Sequence, residues 1–113
     1  MKSYDFIVTQ NKKDDTNHNV IVIADPQISE RSELEELKPY ATDIEDFVIK
    51  SDGDYTFGLC LGDIVGWDHT IYNDYNKIMA GTKIDFRHVI GNHDMTNYGR
   101  SHETSMKDYE NMY

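Results

Sequence analysis

The chain has 113 residues, of which 38% are hydrophobic and 28% are charged. That length fits one domain with a modest core. There are 21 acidic residues against 11 basic ones, a formal net charge of −10, which repels nucleic-acid backbones and argues against non-specific DNA or RNA binding. A phosphate-bearing substrate would meet the same repulsion unless bound metal ions neutralised the nearby carboxylates.

The single cysteine, Cys60, excludes an internal disulfide framework and a cysteine-based zinc cluster. It lies in an apolar run, so we expect it to pack as a small core residue. No apolar stretch is long enough to span a membrane, and the N-terminus lacks the apolar segment of a signal peptide. We therefore expect a soluble chain without a membrane partner, whose compartment is unknown.

Four short apolar runs, in chain order, predict strands. "YDFIVTQ" (4–10) is the weakest, and a polar loop separates it from "NVIVIAD" (19–25), which is rich in β-branched residues. "YTFGLCLGD" (55–63) and "FRHVIGN" (86–92) follow. The last three have the length and composition of buried strands.

Helical patterns lie between and after these strands, over residues 32–50, 70–81 and 101–113. The first segment places apolar residues three or four apart, which forms one apolar face; they are Leu34, Leu37, Ala41, Ile44 and Phe47. Pro39 is expected to kink or split this helix, and Ser32 with Glu35 has the spacing of a capping box. The alternation of strands and helices predicts one α/β domain over residues 1–113 with a largely parallel sheet.

Polar residues follow each of the three stronger strands, at the point where ligands bind in parallel α/β sheets. They are Asp25 and Gln27 in "ADPQ", Asp63 and Asp68 in "GDIVGWD", and Asn92, His93 and Asp94 in "GNHD". Each segment alone is also compatible with a turn or a helix cap. A shared site explains all three at once, whereas the alternative needs an unrelated turn at every strand end.

Three further residues near these loops are weaker candidates for contacts to a substrate. Asp68 belongs to the second loop, and His69 follows it directly. Trp67 is compatible either with lining a substrate pocket or with packing against the domain.

These three motifs, in this order, resemble the calcineurin-like metallophosphoesterases. That family carries Asp-x-His, then Gly-Asp with a later Asp, then Gly-Asn-His-Asp/Glu, each at a strand end. The match runs from Val20 to Asp94, with "DPQ" as a variant in which Gln27 stands in place of the histidine. The resemblance implies a four-layer α/β/β/α sandwich.

The resemblance also implies the roles of the site residues. Asp25 and Gln27 would bind a first metal ion, Asp63 would bridge two, and Asn92 would bind the second. His93 would be the general acid and Asp94 would orient it. The implied cofactors are two divalent ions (manganese, iron, zinc or magnesium) that activate a bridging hydroxide for hydrolysis of a phosphate ester, by a phosphatase or a phosphodiesterase.

The family's later histidine motifs have no counterpart in this sequence, so we expect the N-terminal portion of such a catalytic domain. Metal occupancy would then be partial or nil, and turnover by the isolated chain poor. The alternative from another class is a non-catalytic α/β interaction module. It would form a homodimer through an open sheet edge.

Overall fold

The computed structural model describes residues 17–51, 54–96 and 99–113. The strand predicted over 4–10 lies outside these residues. The strands are β1 (His18–Ile23), β2 (Tyr55–Cys60) and β3 (Phe86–His88). The helices are α1 (Leu34–Lys50), α2 (Tyr72–Ala80), α3 (Asn92–Met95) and α4 (His102–Met112).

The three strands form one parallel sheet in the order β1-β2-β3. His18 pairs with Tyr55 at the start of β1, and Gly58 pairs with Phe86 at the start of β3. This confirms the predicted α/β class and the parallel sheet. The third strand is shorter than its apolar run, because the chain after His88 leaves the sheet and enters α3 at Asn92.

Helix α1 differs from its prediction at Pro39 and at Ser32. Pro39 lies inside one uninterrupted helix, so it does not split the helix in two. The predicted cap at Ser32 is wrong. The Glu33 carboxylate instead accepts the N–H groups of Ser29 and Glu30, at 2.7 and 3.1 Å, in the turn that precedes the helix.

The core lies where the sheet meets α2 and α4. Cys60, Ile64 and Tyr75 are fully buried, and Tyr109 of α4 is 6% exposed. The prediction that Cys60 is a core residue is confirmed, and its burial raises the pKa of the thiol above the ordinary value. This core supports the strand ends from which the polar loops emerge.

The opposite face of the sheet has little cover. Val20 and Val22 are 42% and 55% exposed, whereas the alternating residue Ile23 packs against the core. Val89 is 57% exposed, and the molecule is only 17 Å thick along its shortest axis. The described residues thus form one sheet, and the four-layer sandwich stays a prediction. Within the same residues, no helix has the length and apolar character needed to cross a bilayer.

Candidate metal centre

The loops after the three strands meet at one edge of the sheet. The Gln27 N–H donates to the backbone carbonyl of Asp63 at 2.7 Å, which joins the first loop to the second. Gly62 and Gly91 bring the second and third loops together, since a Cβ on Gly62 would lie 2.6 Å from the Gly91 nitrogen. Gly62 also has a φ of +94°, which favours glycine. Both contacts place Asp63, in the second loop, between the first and the third loops.

The backbone is strained at the predicted ligands. Asp25, Gln27 and Asp63 have φ values of 50°, 43° and 52°, in the left-handed region that residues with a Cβ rarely adopt. Each such residue costs about 1 kcal/mol or more relative to an ordinary conformation. The described part of the chain has one further left-handed non-glycine residue, Lys83, with a φ of 61°. Strain of this kind clusters at functional sites.

The Asp63 side chain is the centre of the cluster and is only 6% exposed. Its Oδ1 accepts the backbone N–H of His93 at 2.7 Å, and its Oδ2 lies 3.4 Å from the Gln27 amide nitrogen. A Cβ on Gly91 would overlap this carboxylate, so only glycine leaves room for it. Asp63 is therefore in contact with a candidate residue from each neighbouring loop.

The His93 imidazole is oriented by a backbone carbonyl. Its Nδ1 lies 3.2 Å from the Gly66 oxygen, so an Nδ1–H donates to this carbonyl and Nε2 is the nitrogen left for other partners. The expectation that Asp94 orients this ring is not supported. In the described residues, the Asp94 carboxylate instead hydrogen-bonds to backbone N–H groups and to the Tyr72 hydroxyl.

The remaining predicted ligands are exposed. Asp25 and Gln27 lie in the first loop, and Asn92 is the first residue of α3. Within residues 17–51, 54–96 and 99–113, no group of three or more His, Cys, Asp or Glu side chains is arranged to hold a metal ion. The donors at this edge are two carboxylates and two amides, Asp25, Asp63, Gln27 and Asn92.

This donor set fits one hard cation better than two. Carboxylate and amide oxygens suit magnesium or manganese, which take about six oxygen ligands, several of them from water. Four donors can begin one such shell but cannot complete two. A second cation, as the resemblance implies, would need ligands from other groups.

The three weaker candidates have separate placements. Asp68 accepts the N–H and hydroxyl of Thr70 at 2.9 and 2.7 Å, so it caps the turn before α2, and these bonds lower its pKa. His69 is 8% exposed and its ring packs against Tyr72. Trp67 is 47% exposed beside Gly66.

A cavity of about 720 Å³ opens beside this edge, between β1 and α1. Asp25 and Gln27 form one end of its wall. The remainder is lined by apolar side chains, including Ile21, Leu37 and Ile44, and by the carboxylates of Glu33, Glu36 and Asp43. A ligand held at the strand ends therefore has room beside it for an apolar group.

Two contacts in this cluster were missed at the level of sequence, Gly66 and Tyr72. Gly66 contacts His93 through its backbone carbonyl, and because every residue has such a carbonyl, the residue type does not predict the contact. Tyr72 could have been predicted from the sequence. Its spacing with Tyr75 and Met79 places it on the buried face of α2, with its hydroxyl inside the domain.

Comparison of the chain with models of known families, with curated proteins and with solved structures finds no match.

Proposed function

We propose that the chain is part of a metal-dependent phosphoesterase, a phosphatase or a phosphodiesterase, with its site at the carboxyl ends of β1, β2 and β3. The carrying observation is the position of Asp63, whose carboxylate contacts His93 from one neighbouring loop and Gln27 from the other. Three loops, strained at three of the predicted ligands, converge on one nearly buried carboxylate.

Asp25 and Asp63 would hold a divalent cation, assisted by the amide oxygens of Gln27 and Asn92. When bound, such a cation supplies an acidified water as nucleophile and neutralises the phosphate of the substrate. Rotation of the Gln27 amide would free Asp63 Oδ2 from its 3.4 Å contact. The bond from His93 N–H to Oδ1 would keep the carboxylate aligned.

His93 would deliver the proton that the leaving oxygen needs. The Gly66 carbonyl holds Nδ1, so Nε2 is the nitrogen that transfers the proton. A histidine is suited to this step because its charge changes near neutral pH. The cavity beside Asp25 leaves room for the ester's alcohol group.

Calorimetric titration with Mn²⁺ tests the proposal directly. The wild-type chain should bind Mn²⁺, Asp63→Ala should not, and Asp85→Ala should behave like the wild type. Asp85→Ala is the matched control, because it also removes one carboxylate. Asp85 is exposed and directly precedes β3, at the end of that strand opposite to the candidate site. Absence of binding in a folded wild-type chain would overturn the metal site.

Hydrolysis of an aryl phosphate and of a bis-aryl phosphate should be measured on the same samples. Four donors supply only part of one cation shell, so we expect slow turnover that requires added Mn²⁺ and is lost in His93→Ala. Rapid hydrolysis by the isolated chain would show that these donors suffice. Hydrolysis that is unchanged in His93→Ala would overturn the role of this imidazole.

The second candidate is an interaction module that self-associates without metal. Its supporting observation is the uncovered valine face, together with the outer edges of β1 and β3, which no described strand covers. Sedimentation of the wild type, Val22→Lys and Val89→Lys would detect it. Ile49→Lys is the control, since Ile49 is 61% exposed on α1. Equal sedimentation of all four would exclude this face as an interface.

A further inference from the structure

Asp94 is a fully buried carboxylate whose partners are neutral. Its Oδ1 accepts the N–H groups of Ile64 and Val65, at 3.1 and 3.4 Å, and the Tyr72 hydroxyl at 2.9 Å. Its Oδ2 accepts the Gly91 N–H at 2.9 Å. Among the described residues it makes no ion pair with a Lys, Arg or His side chain. A buried charge of this kind depends on its hydrogen bonds.

These bonds tie together the two loops that carry the central residues of the candidate site. Ile64 follows Asp63 directly, and Gly91 lies two residues before His93. The loops also meet in the bond from the His93 N–H to Asp63 Oδ1. Movement of Asp94 would therefore be expected to change the position of Asp63 relative to His93.

Tyr72 supplies the one side-chain hydrogen bond to Asp94 among the described residues. The tyrosine is 1% exposed and belongs to α2, outside both loops. Its burial and the adjacent Asp94 charge both raise the pKa of the hydroxyl, which stays a donor at any ordinary pH. The bond anchors the joined loops to a packed helix.

We propose that Tyr72 is a positioning residue, which fixes the geometry between Asp63 and His93 through Asp94. The metal-affinity part of this inference rests on the proposed function, whereas the positioning part does not. Hydrogen-bonded partners behind metal ligands commonly change affinity by about 10–100-fold when removed.

The test compares Tyr72→Phe with Tyr75→Phe. Tyr75 is an equally buried tyrosine of the same helix, and its hydroxyl contacts the Cys60 sulfur at 3.8 Å instead of the loops. Each variant removes one buried hydroxyl. Thermal unfolding measures the loss of stability in each variant. Differences in amide exchange or Mn²⁺ affinity can then be separated from a difference in global stability.

Amide hydrogen exchange followed by NMR gives the readout without metal. We expect faster exchange at the His93 and Gly91 N–H groups in Tyr72→Phe than in Tyr75→Phe. Equal exchange at these two amides in both variants would overturn the positioning role. This result is independent of whether Mn²⁺ binds.

Mn²⁺ titration gives the second readout. We expect the Kd of Tyr72→Phe to rise by about tenfold, at the lower end of the range for ligand-supporting partners, while Tyr75→Phe keeps the wild-type value. Equal affinities of the two variants would overturn the influence of Tyr72 on the site. A wild-type chain that binds no Mn²⁺ overturns the proposed function instead, and exchange at His93 still decides the positioning.

Discussion

The backbone N–H of His93 donates to Oδ1 of Asp63 at 2.7 Å, across two loops that are 30 residues apart in the chain. The bond uses one oxygen of a carboxylate that is 6% exposed and leaves the other in a weak contact with Gln27. The residue proposed to hold a cation is thus aligned by the residue proposed to transfer a proton.

Asp63→Asn separates the fold of this cluster from its charge. The asparagine oxygen can still accept the His93 N–H, so we expect the unfolding temperature to change by only a few degrees, as for a loss of about 1 kcal/mol. A neutral amide is a poor replacement for a central carboxylate ligand, and Mn²⁺ binding should fall below detection. Retained binding in calorimetry would show that Asp63 is not the central ligand.

Gln27→Gly tests whether backbone strain is linked to the site. Glycine adopts the left-handed conformation at little cost, so the free energy of unfolding should rise by about 0.5–1 kcal/mol. Loss of the amide donor should weaken Mn²⁺ binding at the same time.

Lys83→Gly is the matched control for this change. Lys83 has the same left-handed backbone, with a φ of 61°, but lies after α2 and outside the candidate ligands. Lys83→Gly also removes the ion pair of Lys83 with Glu45, whose side chains are 66% and 31% exposed, so the gain in stability should be smaller. Unchanged Mn²⁺ affinity is expected in calorimetry. Reduced affinity in both variants would contradict a specific role for Gln27.

Gly91→Ala should be poorly tolerated. Its Cβ would overlap the carboxylate and the backbone nitrogen of Asp63, neither of which can move without breaking the loop contacts. We expect a loss of about 1–3 kcal/mol, the usual cost of overpacking, and loss of Mn²⁺ binding. Gly81→Ala is the control, because Gly81 has a helical φ of −63° and its nearest neighbour to a Cβ is 3.1 Å away. Equal losses in the two variants would refute the close approach.

Stability should fall as the pH falls below about 6.5, because one buried and one half-buried histidine, His69 and His88, favour their neutral form in the folded chain. Burial lowers the pKa of His69, assisted by the Arg100 charge, and burial also lowers the pKa of His88. Between the lowered pKa and the ordinary value of 6.5, the unfolded chain binds protons that the folded chain does not. The stabilising difference is therefore complete above pH 6.5 and declines below it.

His88→Phe should reduce this decline. The His88 ring stacks on Tyr113 with centroids 4.1 Å apart, and its buried Nε2 has no hydrogen-bond partner, so phenylalanine suits the same space. Unfolding temperatures at pH 7.5 and 5.5 should differ less in the variant than in the wild type. The same difference in both would exclude His88 as a source of the pH dependence.

The sequence predicted the sheet well because the signal is local. A run of β-branched residues such as 20–23 favours a strand whatever its neighbours. Its burial was predicted less well, because Val20 and Val22 lie on a face that the described residues leave exposed. The split allowed at Pro39 did not occur, because tertiary packing can keep a helix continuous across a proline. His69 was a weak candidate from its place beside Asp68, and its burial against the Tyr72 ring is a tertiary contact that the sequence did not reveal.

The partners of Asp94 were beyond sequence reasoning for a different reason. Three of its four hydrogen bonds come from backbone N–H groups, which every residue except proline carries. Only the register of two loops decides which of them meet the carboxylate. Motif spacing could place Asp94 at the strand end but could not tell that it is buried and bonded to Tyr72.

The parallel topology also determines when this edge of the molecule is assembled. The pairing of His18 with Tyr55 joins strands that are separated in the chain by α1. The pairing of Gly58 with Phe86 joins strands that are separated by α2. Contacts so distant in sequence form slowly during folding. The three polar loops thus come together only when both pairings are complete, so a bound cation would retard unfolding while leaving the refolding rate unchanged.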